Sequence, residues 1–271
     1  EDKSVDEVGL NVAAIHALWT LEGLGMINEK NPEVVSAVTA ALQHPSPGVR
    51  RNAVAVLPMQ TESVDALVAS GILGDADAQV RLAATLALAD LPPTDKGAQA
   101  LVTVLRSASG PSQEYLRDAV TSAAAMHDVR FLQAVANDST PSRETLAVGA
   151  IVAGHYARSG DYEDLGQLIA AIKKGNPALA ATVVSGLTSG YREGAEVKLT
   201  PALESDLEAL VGVIPPASQI ELISLASKWG SKKLLAYADK VEASLKETLA
   251  DESAPAAQRI AAARQIIEFR P

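Results

Sequence analysis

The sequence predicts an all-α fold, an α-solenoid in which antiparallel helix pairs stack into a right-handed superhelix. Hydrophobic residues make up 48% of the 271-residue chain but aromatic residues only 3%, so the core must be built mainly from Ala, Leu, Val and Ile. Alanine favours helices because it loses no side-chain entropy there. In addition, residues 43–57 (QHPSPGVRRNAVAVL) resemble residues 74–88 (GDADAQVRLAATLAL). Their separation of about 31 residues is typical of repeat proteins.

The repeated unit is predicted to be two helices joined by short turns. Four positions of the phrase match between its two copies: Val49 and Val80, Arg50 and Arg81, Ala53 and Ala84, and Leu57 and Leu88. The segments that precede them carry apolar residues at helical spacing and end at Leu42 and Leu73; a third such segment ends at Leu105. One helix pair cannot bury its own apolar face, whereas stacking the next pair on it does. The same face must therefore recur in every repeat.

The pattern continues beyond the first two copies. After a short insertion, Leu116 and Arg117 replace the Val-Arg pair, and near the C-terminus Arg259 and Ala262 restore the motif. We therefore expect residues 1–271 to form one solenoid of about seven helix pairs, preceded by an unpaired first helix. The least regular joint, residues 189–201, is expected to be a flexible hinge or a long loop.

Proline and small polar residues mark the predicted helix starts. Proline suits a first helical turn because its missing N–H has no intrahelical partner there. Eight prolines stand at such places: Pro32, Pro47, Pro111, Pro141, Pro177, Pro201, Pro216 and Pro255. A polar N-cap side chain accepts a free backbone N–H of the first turn. Five residues are predicted to do so: Asn31, Asp77, Asn176, Thr200 and Ser253.

The repeated arginine is predicted to be structural. It stands near a helix N-terminus, where the helix dipole disfavours a cation, so it needs partners. The simplest partners are turn carbonyls or the nearby carboxylates, and the head groups of Arg50 and Arg81 are expected to be largely buried. Repetition would then give a ladder of contacts between turns. Its predicted members are Arg50, Arg81, Arg117, Arg259, Asp75 and Asp77.

The phrase V-R-x-x-A-x-x-x-L resembles HEAT repeats, and among these the group related to phycobilisome lyases, over residues 34–126 and again over residues 251–267. Residues 14–25 (AIHALWTLEGLG) and the HPSPGVRRNAVAVL stretch are similar to the HEAT segment of large secreted bacterial membrane-bound dehydrogenases. Those proteins join it to a sugar-dehydrogenase-like β-propeller and a c-type haem domain. The resemblance implies a module of a larger periplasmic or secreted protein. It implies no redox activity here, because the sequence has no Cys-x-x-Cys-His motif and no propeller features.

Charge and composition exclude several classes of function. The net charge is −10, with 23 basic and 33 acidic residues. This argues against binding of nucleic acid, which needs a basic face, and against adhesion to anionic membranes. No apolar run reaches the length of a membrane span. The chain has no cysteine, which excludes disulfides and thiolate chemistry within it. Both ends look cut, so we expect a mature chain or an excised domain.

No catalytic, cofactor-binding or metal site is predicted. The sequence lacks a Gly-x-Gly-x-x-Gly loop, a Walker loop and a Gly-x-Ser-x-Gly elbow. Dinuclear-iron HEAT hydroxylases use repeated His-Glu dipeptides. None of the four histidines is followed by glutamate: His16, His44, His127 and His155.

The predicted function is a non-catalytic interaction or scaffold module that holds a protein partner or neighbouring domains. Four residues are candidate interface positions: Trp19, His16, Glu22 and Trp229. For the two tryptophans, packing at the end of the solenoid or in a curved joint is the alternative. The first helix lacks a partner helix, and Trp19 would give its outer face an apolar character that favours docking. The alternative is a lyase-like or other small-molecule-binding enzyme that uses the concave face formed by the second helices. Polar groups converging in a deep pocket would favour the enzyme, and a broad, shallow surface would favour binding.

Overall fold

The computed structural model describes residues 2–108 and 113–269, and within these residues it contains fifteen α-helices, one short 3₁₀ helix and no strand. The all-α prediction is therefore confirmed. None of the described helices is both long and apolar enough to cross a bilayer. By internal contacts the chain divides into two compact units, Glu1–Ala134 and Val135–Pro271. Pro111 lies outside the described residues.

In the first unit, helices two apart along the chain pack against each other. Helix α1 contacts α3, α3 contacts α5, α5 contacts α7, and α4 contacts α6. The 3₁₀ helix Ile72–Gly74 leads from α4 to α5. The helices are α1 (Val12–Gly23), α2 (Pro32–Ala41), α3 (Pro47–Ala55), α4 (Thr61–Ser70), α5 (Ala78–Asp90), α6 (Asp95–Ser107), α7 (Glu114–Met126) and α8 (Asp128–Ala136), which crosses the unit boundary.

The second unit follows the same rule. Helix α9 contacts α11, α11 contacts α13 and α13 contacts α15, while α10 contacts α12 and α12 contacts α14. The helices are α9 (Arg143–Ser159), α10 (Leu165–Ile172), α11 (Pro177–Gly190), α12 (Pro201–Val211), α13 (Pro216–Lys228), α14 (Lys232–Ala250) and α15 (Ala256–Phe269). Residues 191–200 join α11 to α12 without regular secondary structure.

The helix starts follow the sequence closely. Five prolines are the first residue of their helix: Pro32, Pro47, Pro177, Pro201 and Pro216. Three predicted N-cap side chains accept first-turn N–H groups: Asp77, Asn176 and Thr200. Asn31 precedes α2 without such a bond. The Ser253 prediction is wrong, because α15 begins at Ala256 and Ser253 instead donates its N–H and hydroxyl to Asp251.

The matched positions of the repeated phrase lie in the core of the first unit. Val49, Ala53, Val80, Ala84 and Leu88 are all buried. The small side chains of Ala53 and Ala84 let neighbouring helices approach closely. Burial of all five residues adds the hydrophobic stabilisation that a short isolated helix lacks.

Helices α9 and α11 of the second unit meet through glycines. A Cβ on Gly186 would lie 2.5 Å from the carbonyl oxygen of Ala150, and a Cβ on Gly190 would collide with the carbonyl oxygen of Gly154. The absence of side chains therefore sets how closely these two backbones pack.

We expect Gly190→Ala to destabilise the second unit by about 1–3 kcal/mol, because the new methyl group must displace the α9 backbone. Gly166→Ala in α10 is the matched control, since no atom lies within 4 Å of its Cβ position. It should leave stability unchanged or raise it by up to about 1 kcal/mol, through helix propensity. Urea denaturation followed by circular dichroism measures both. Equal stability of the two variants would contradict the close packing of α9 on α11.

Candidate functional site

Arg50 joins the turn before α3 to the turn before α5. Its Nε and second terminal nitrogen donate to the two carboxylate oxygens of Asp75 at 2.7 and 2.8 Å. Its other terminal nitrogen donates to the carbonyl oxygens of His44 and Pro45 at 2.8 and 2.9 Å. The side chains of Arg50 and Asp75 are only 14% and 10% exposed. The bidentate, charge-assisted geometry is the strongest form of such a pair.

Arg81 repeats the contacts that Arg50 makes with turn carbonyl groups. Its terminal nitrogen donates to the carbonyl oxygens of Asp75 and Ala76 at 2.7 and 3.1 Å. In both copies the arginine therefore contacts the carbonyl groups five and six residues before it. Asp75 accepts from Arg50 through its side chain and from Arg81 through its backbone, so one turn binds the arginines of both α3 and α5.

The later arginines also contact turn carbonyls. Arg117 donates to the carbonyl oxygen of Ala108 at 3.2 Å, and Arg259 donates to that of Leu249 at 3.1 Å. The insertion before α7 lengthens the separation in sequence between Arg117 and its acceptor, but the acceptor is still a backbone carbonyl group. Both arginine side chains are partly buried.

The two aspartates of the turn have different roles. Asp77 caps α5 by accepting the N–H groups of Gln79 and Val80. Partial burial raises the pKa of Asp75, but the bonds from Arg50 and from the Asp77 N–H, with the charges of Arg50 and Arg81, outweigh it. The pKa of Asp75 therefore lies below its ordinary value of 3.8.

Three of the candidate interface residues lie exposed on α1. Trp19 is 45% exposed and its indole N–H donates to the side-chain oxygen of Asn52 in α3, at 2.7 Å. His16 and Glu22 are also exposed. Leu18, by contrast, is buried where α1 packs on α3. The chain itself therefore covers one side of α1 and leaves the rest open.

Trp229 is a packed core residue and not an interface residue. It is 6% exposed and its ring lies 6.1 Å from that of Tyr162, which in turn meets Tyr156 edge to face. Burial and the nearby Tyr191 raise the pKa of Tyr162. Trp229 is thus part of the interior of the second unit, where its ring packs with those of Tyr162 and Tyr156.

An apolar groove of 610 Å³ lies between α3 and α5 on their exposed sides. Val54, Ala55, Ala83 and Ala87 contribute to its lining. Two large apolar side chains line it as well: Met59 is 72% exposed and Leu86 42%. Arg51 and Asp90 add one charge of each sign.

Sequence reasoning missed Met59 and Leu86. The signal that could have identified them is their position relative to the buried residues of the neighbouring helices. Leu86 belongs to α5 but lies out of step with Val80, Ala84 and Leu88, which define the buried face of that helix. Met59 lies in the turn that follows α3. A large apolar residue outside the buried phase is a candidate for a binding surface.

The histidines have structural surroundings where they are buried. His127 is 1% exposed, and its Nε2 donates to the carbonyl oxygen of Leu88 at 2.7 Å, which ties the end of α7 to α5. Across residues 2–108 and 113–269, no group of three or more histidine, aspartate or glutamate side chains is arranged to hold a metal ion.

Comparison of the chain with protein-family models, with curated proteins and with solved structures gives no match in any of the three.

We expect Asp75→Asn to destabilise the first unit by about 1–3 kcal/mol at pH 7, because Arg50 loses its charged acceptor. The folded-state pKa of Asp75 is lowered, so its contribution is present above pH 3.8 and is lost as the pH falls through that lowered pKa. The difference between wild type and variant should therefore shrink below about pH 4. Asp65→Asn is the control, since its ion pair with Lys96 is more than half exposed and contributes under about 1 kcal/mol.

Arg81→Met should lower the free energy of unfolding by about 1–3 kcal/mol, because the carbonyl groups of Asp75 and Ala76 lose a charged donor while the aliphatic stem is kept. Thermal unfolding measures it. Arg51→Met is the matched control, because that arginine is exposed. An unchanged melting temperature for Arg81→Met would show that these contacts have no structural role.

Proposed function

We propose that this chain is a HEAT-like α-solenoid that acts as a non-catalytic interaction or scaffold module. Two features support the repeat architecture. Arg50 and Arg81 contact turn carbonyls at the same distance in sequence, although they belong to different helices. Helices two apart in the chain pack together in both units, which is how stacked helix pairs bury their faces.

In the proposed architecture, α3, α5 and α7 are the second helices of successive pairs, and α2, α4 and α6 are the first. Stacking with a constant small rotation would wind these pairs into a right-handed superhelix, whose concave side is formed by the second helices. The resemblance to HEAT repeats supports this assignment through the V-R-x-x-A-x-x-x-L phrase at residues 49–57 and 80–88.

The groove between α3 and α5 carries the functional part of the proposal. It lies on the exposed side of two second helices, and its surface is apolar apart from Arg51, Asn52 and Asp90. Exposed apolar surface of this kind is characteristic of protein interaction sites. Methionine adapts its shape to different partners, so Met59 suits such a surface.

The dehydrogenase resemblance gives the class of partner. It supports a neighbouring domain of the same polypeptide, or a separate protein, as what the groove holds, in a secreted or periplasmic setting. An enzyme on the same face would need polar groups that converge on a substrate, whereas Ala55, Ala83 and Leu86 give the groove an apolar character.

The test is selection of peptides from a displayed library against the wild-type chain. We expect amphipathic peptides that bind the wild type and lose about tenfold or more in affinity for Leu86→Glu, because a carboxylate in the groove must be desolvated. Ala69→Glu places the same charge on an exposed residue of α4 and should leave binding unchanged.

Two results would contradict the proposal. One is a selection that yields no peptide above the background of Leu86→Glu. The other is a set of peptides that bind the wild type, Leu86→Glu and Ala69→Glu with equal affinity.

A further inference from the structure

Methionine is the one sulfur-containing residue type in this chain, which has three methionines and no cysteine. A peroxide must reach the thioether sulfur in order to oxidise it, so exposure decides which methionine reacts first. Met59 is 72% exposed and Met126 is 55% exposed, whereas Met26 is half-buried. Met59 is therefore the methionine most open to a soluble oxidant, and no thiol of the chain competes with it.

The turn that carries Met59 is fixed on both sides of this residue. The carbonyl oxygen of Pro58 accepts the Gln60 N–H at 2.8 Å and the Ser63 hydroxyl at 2.6 Å. Ser63 is only 2% exposed and lies in the first turn of α4. These bonds tie the turn to α4, so the Met59 side chain starts from a defined point beside the α3–α5 groove that it lines.

The surroundings of Met59 in this groove are largely apolar. Leu57 and Leu91 line it from the core, and Leu86 lines it as an exposed side chain. A thioether is apolar and adapts its shape, so it suits both this surface and a partner packed on it. Oxidation converts the same side chain into a polar, chiral sulfoxide. A partner that covers the sulfoxide oxygen must remove its water, and the leucine side chains offer no hydrogen bond in return.

Met126 provides an internal comparison. It is the last residue of α7 and is exposed, but it does not belong to the lining of the α3–α5 groove. A peroxide can reach both methionines, and only at Met59 does oxidation change the groove. The chain itself therefore distinguishes oxidation at the groove from oxidation elsewhere on the first unit.

We propose that Met59 is a reversible oxidation site that switches the α3–α5 groove from a binding to a non-binding form. This switch rests on the proposed binding function of the groove. The oxidant is a hydroperoxide. The thioether sulfur gives two electrons to the peroxide and bonds to one of its oxygens as the O–O bond breaks, so hydrogen peroxide leaves as water. A methionine sulfoxide reductase reverses the step with a dithiol, which becomes a disulfide while the oxygen leaves as water.

The test uses amphipathic peptides selected on the wild-type chain, restricted to sequences without methionine and cysteine. The full chain is treated with hydrogen peroxide, the peroxide is removed, and mass spectrometry of proteolytic fragments gives the oxidised fraction of each methionine. Met59 should be oxidised at least as fast as Met126 and faster than Met26, in the order of their exposure. Fluorescence anisotropy then gives the dissociation constant of each peptide before and after treatment.

Two leucine variants assign a loss of affinity to one methionine. In each variant the dissociation constant after treatment is divided by that before treatment, so a difference in basal affinity between variants does not enter. Treatment should weaken binding about tenfold or more in the wild type and in Met126→Leu, because the sulfoxide in the groove must be desolvated. In Met59→Leu the ratio should stay near one. A methionine sulfoxide reductase with dithiothreitol should restore binding by the wild type.

The outcomes separate the switch from the binding function. Peptides that bind reduced and fully oxidised wild type equally would overturn the switch alone. So would a loss of affinity that persists in Met59→Leu, or a Met59 that stays reduced while Met126 is oxidised. A loss of helical circular dichroism on treatment that Met59→Leu prevents would also overturn it, because Met59 would then support the fold. Failure to select any peptide would overturn the binding function and the switch with it.

Discussion

The contact on which the first unit depends is that between a repeated arginine and the turn before its helix. Short helix pairs leave carbonyl groups free at each turn, and a buried turn cannot leave them without donors. Arg50 and Arg81 supply those donors from the first turn of the next helix, and Asp75 balances the charge. Each of these two arginines supplies donors to the carbonyl groups of the turn before its own helix, and Arg50 also joins that turn to the turn that contains Asp75.

The exposed groove between α3 and α5 follows from the same regular packing of helices. Once the turns fix the helices, the small residues facing successive helices determine how closely they pack, as Ala53 and Ala84 do in the core. Where a helix has a neighbour, that surface is covered. Where large side chains such as Leu86 lie on the exposed side of two packed helices, a groove remains. The α3–α5 groove therefore follows from how these helices stack.

Much of this arrangement could be predicted from the sequence, because it is local and repeated. The high alanine content predicts helices. The recurrence of Arg50 as Arg81 in the same phrase indicates that both arginines have the same structural role. Trp229 could not be placed in this way, because its burial depends on Tyr162, which is distant in the sequence. The α3–α5 groove was missed for a related reason. Met59 and Leu86 come together only when α3 and α5 lie side by side.

The most direct test of this account is a double-mutant cycle on Arg50 and Asp75. The free energies of unfolding are measured for the wild type, Arg50→Met, Asp75→Asn and the double variant. The account predicts a coupling of about 1–3 kcal/mol, because the bidentate pair is largely buried and joins two turns. Additive single effects, with a coupling near zero, would contradict the claim that Arg50 holds the turn before α3 against the turn before α5.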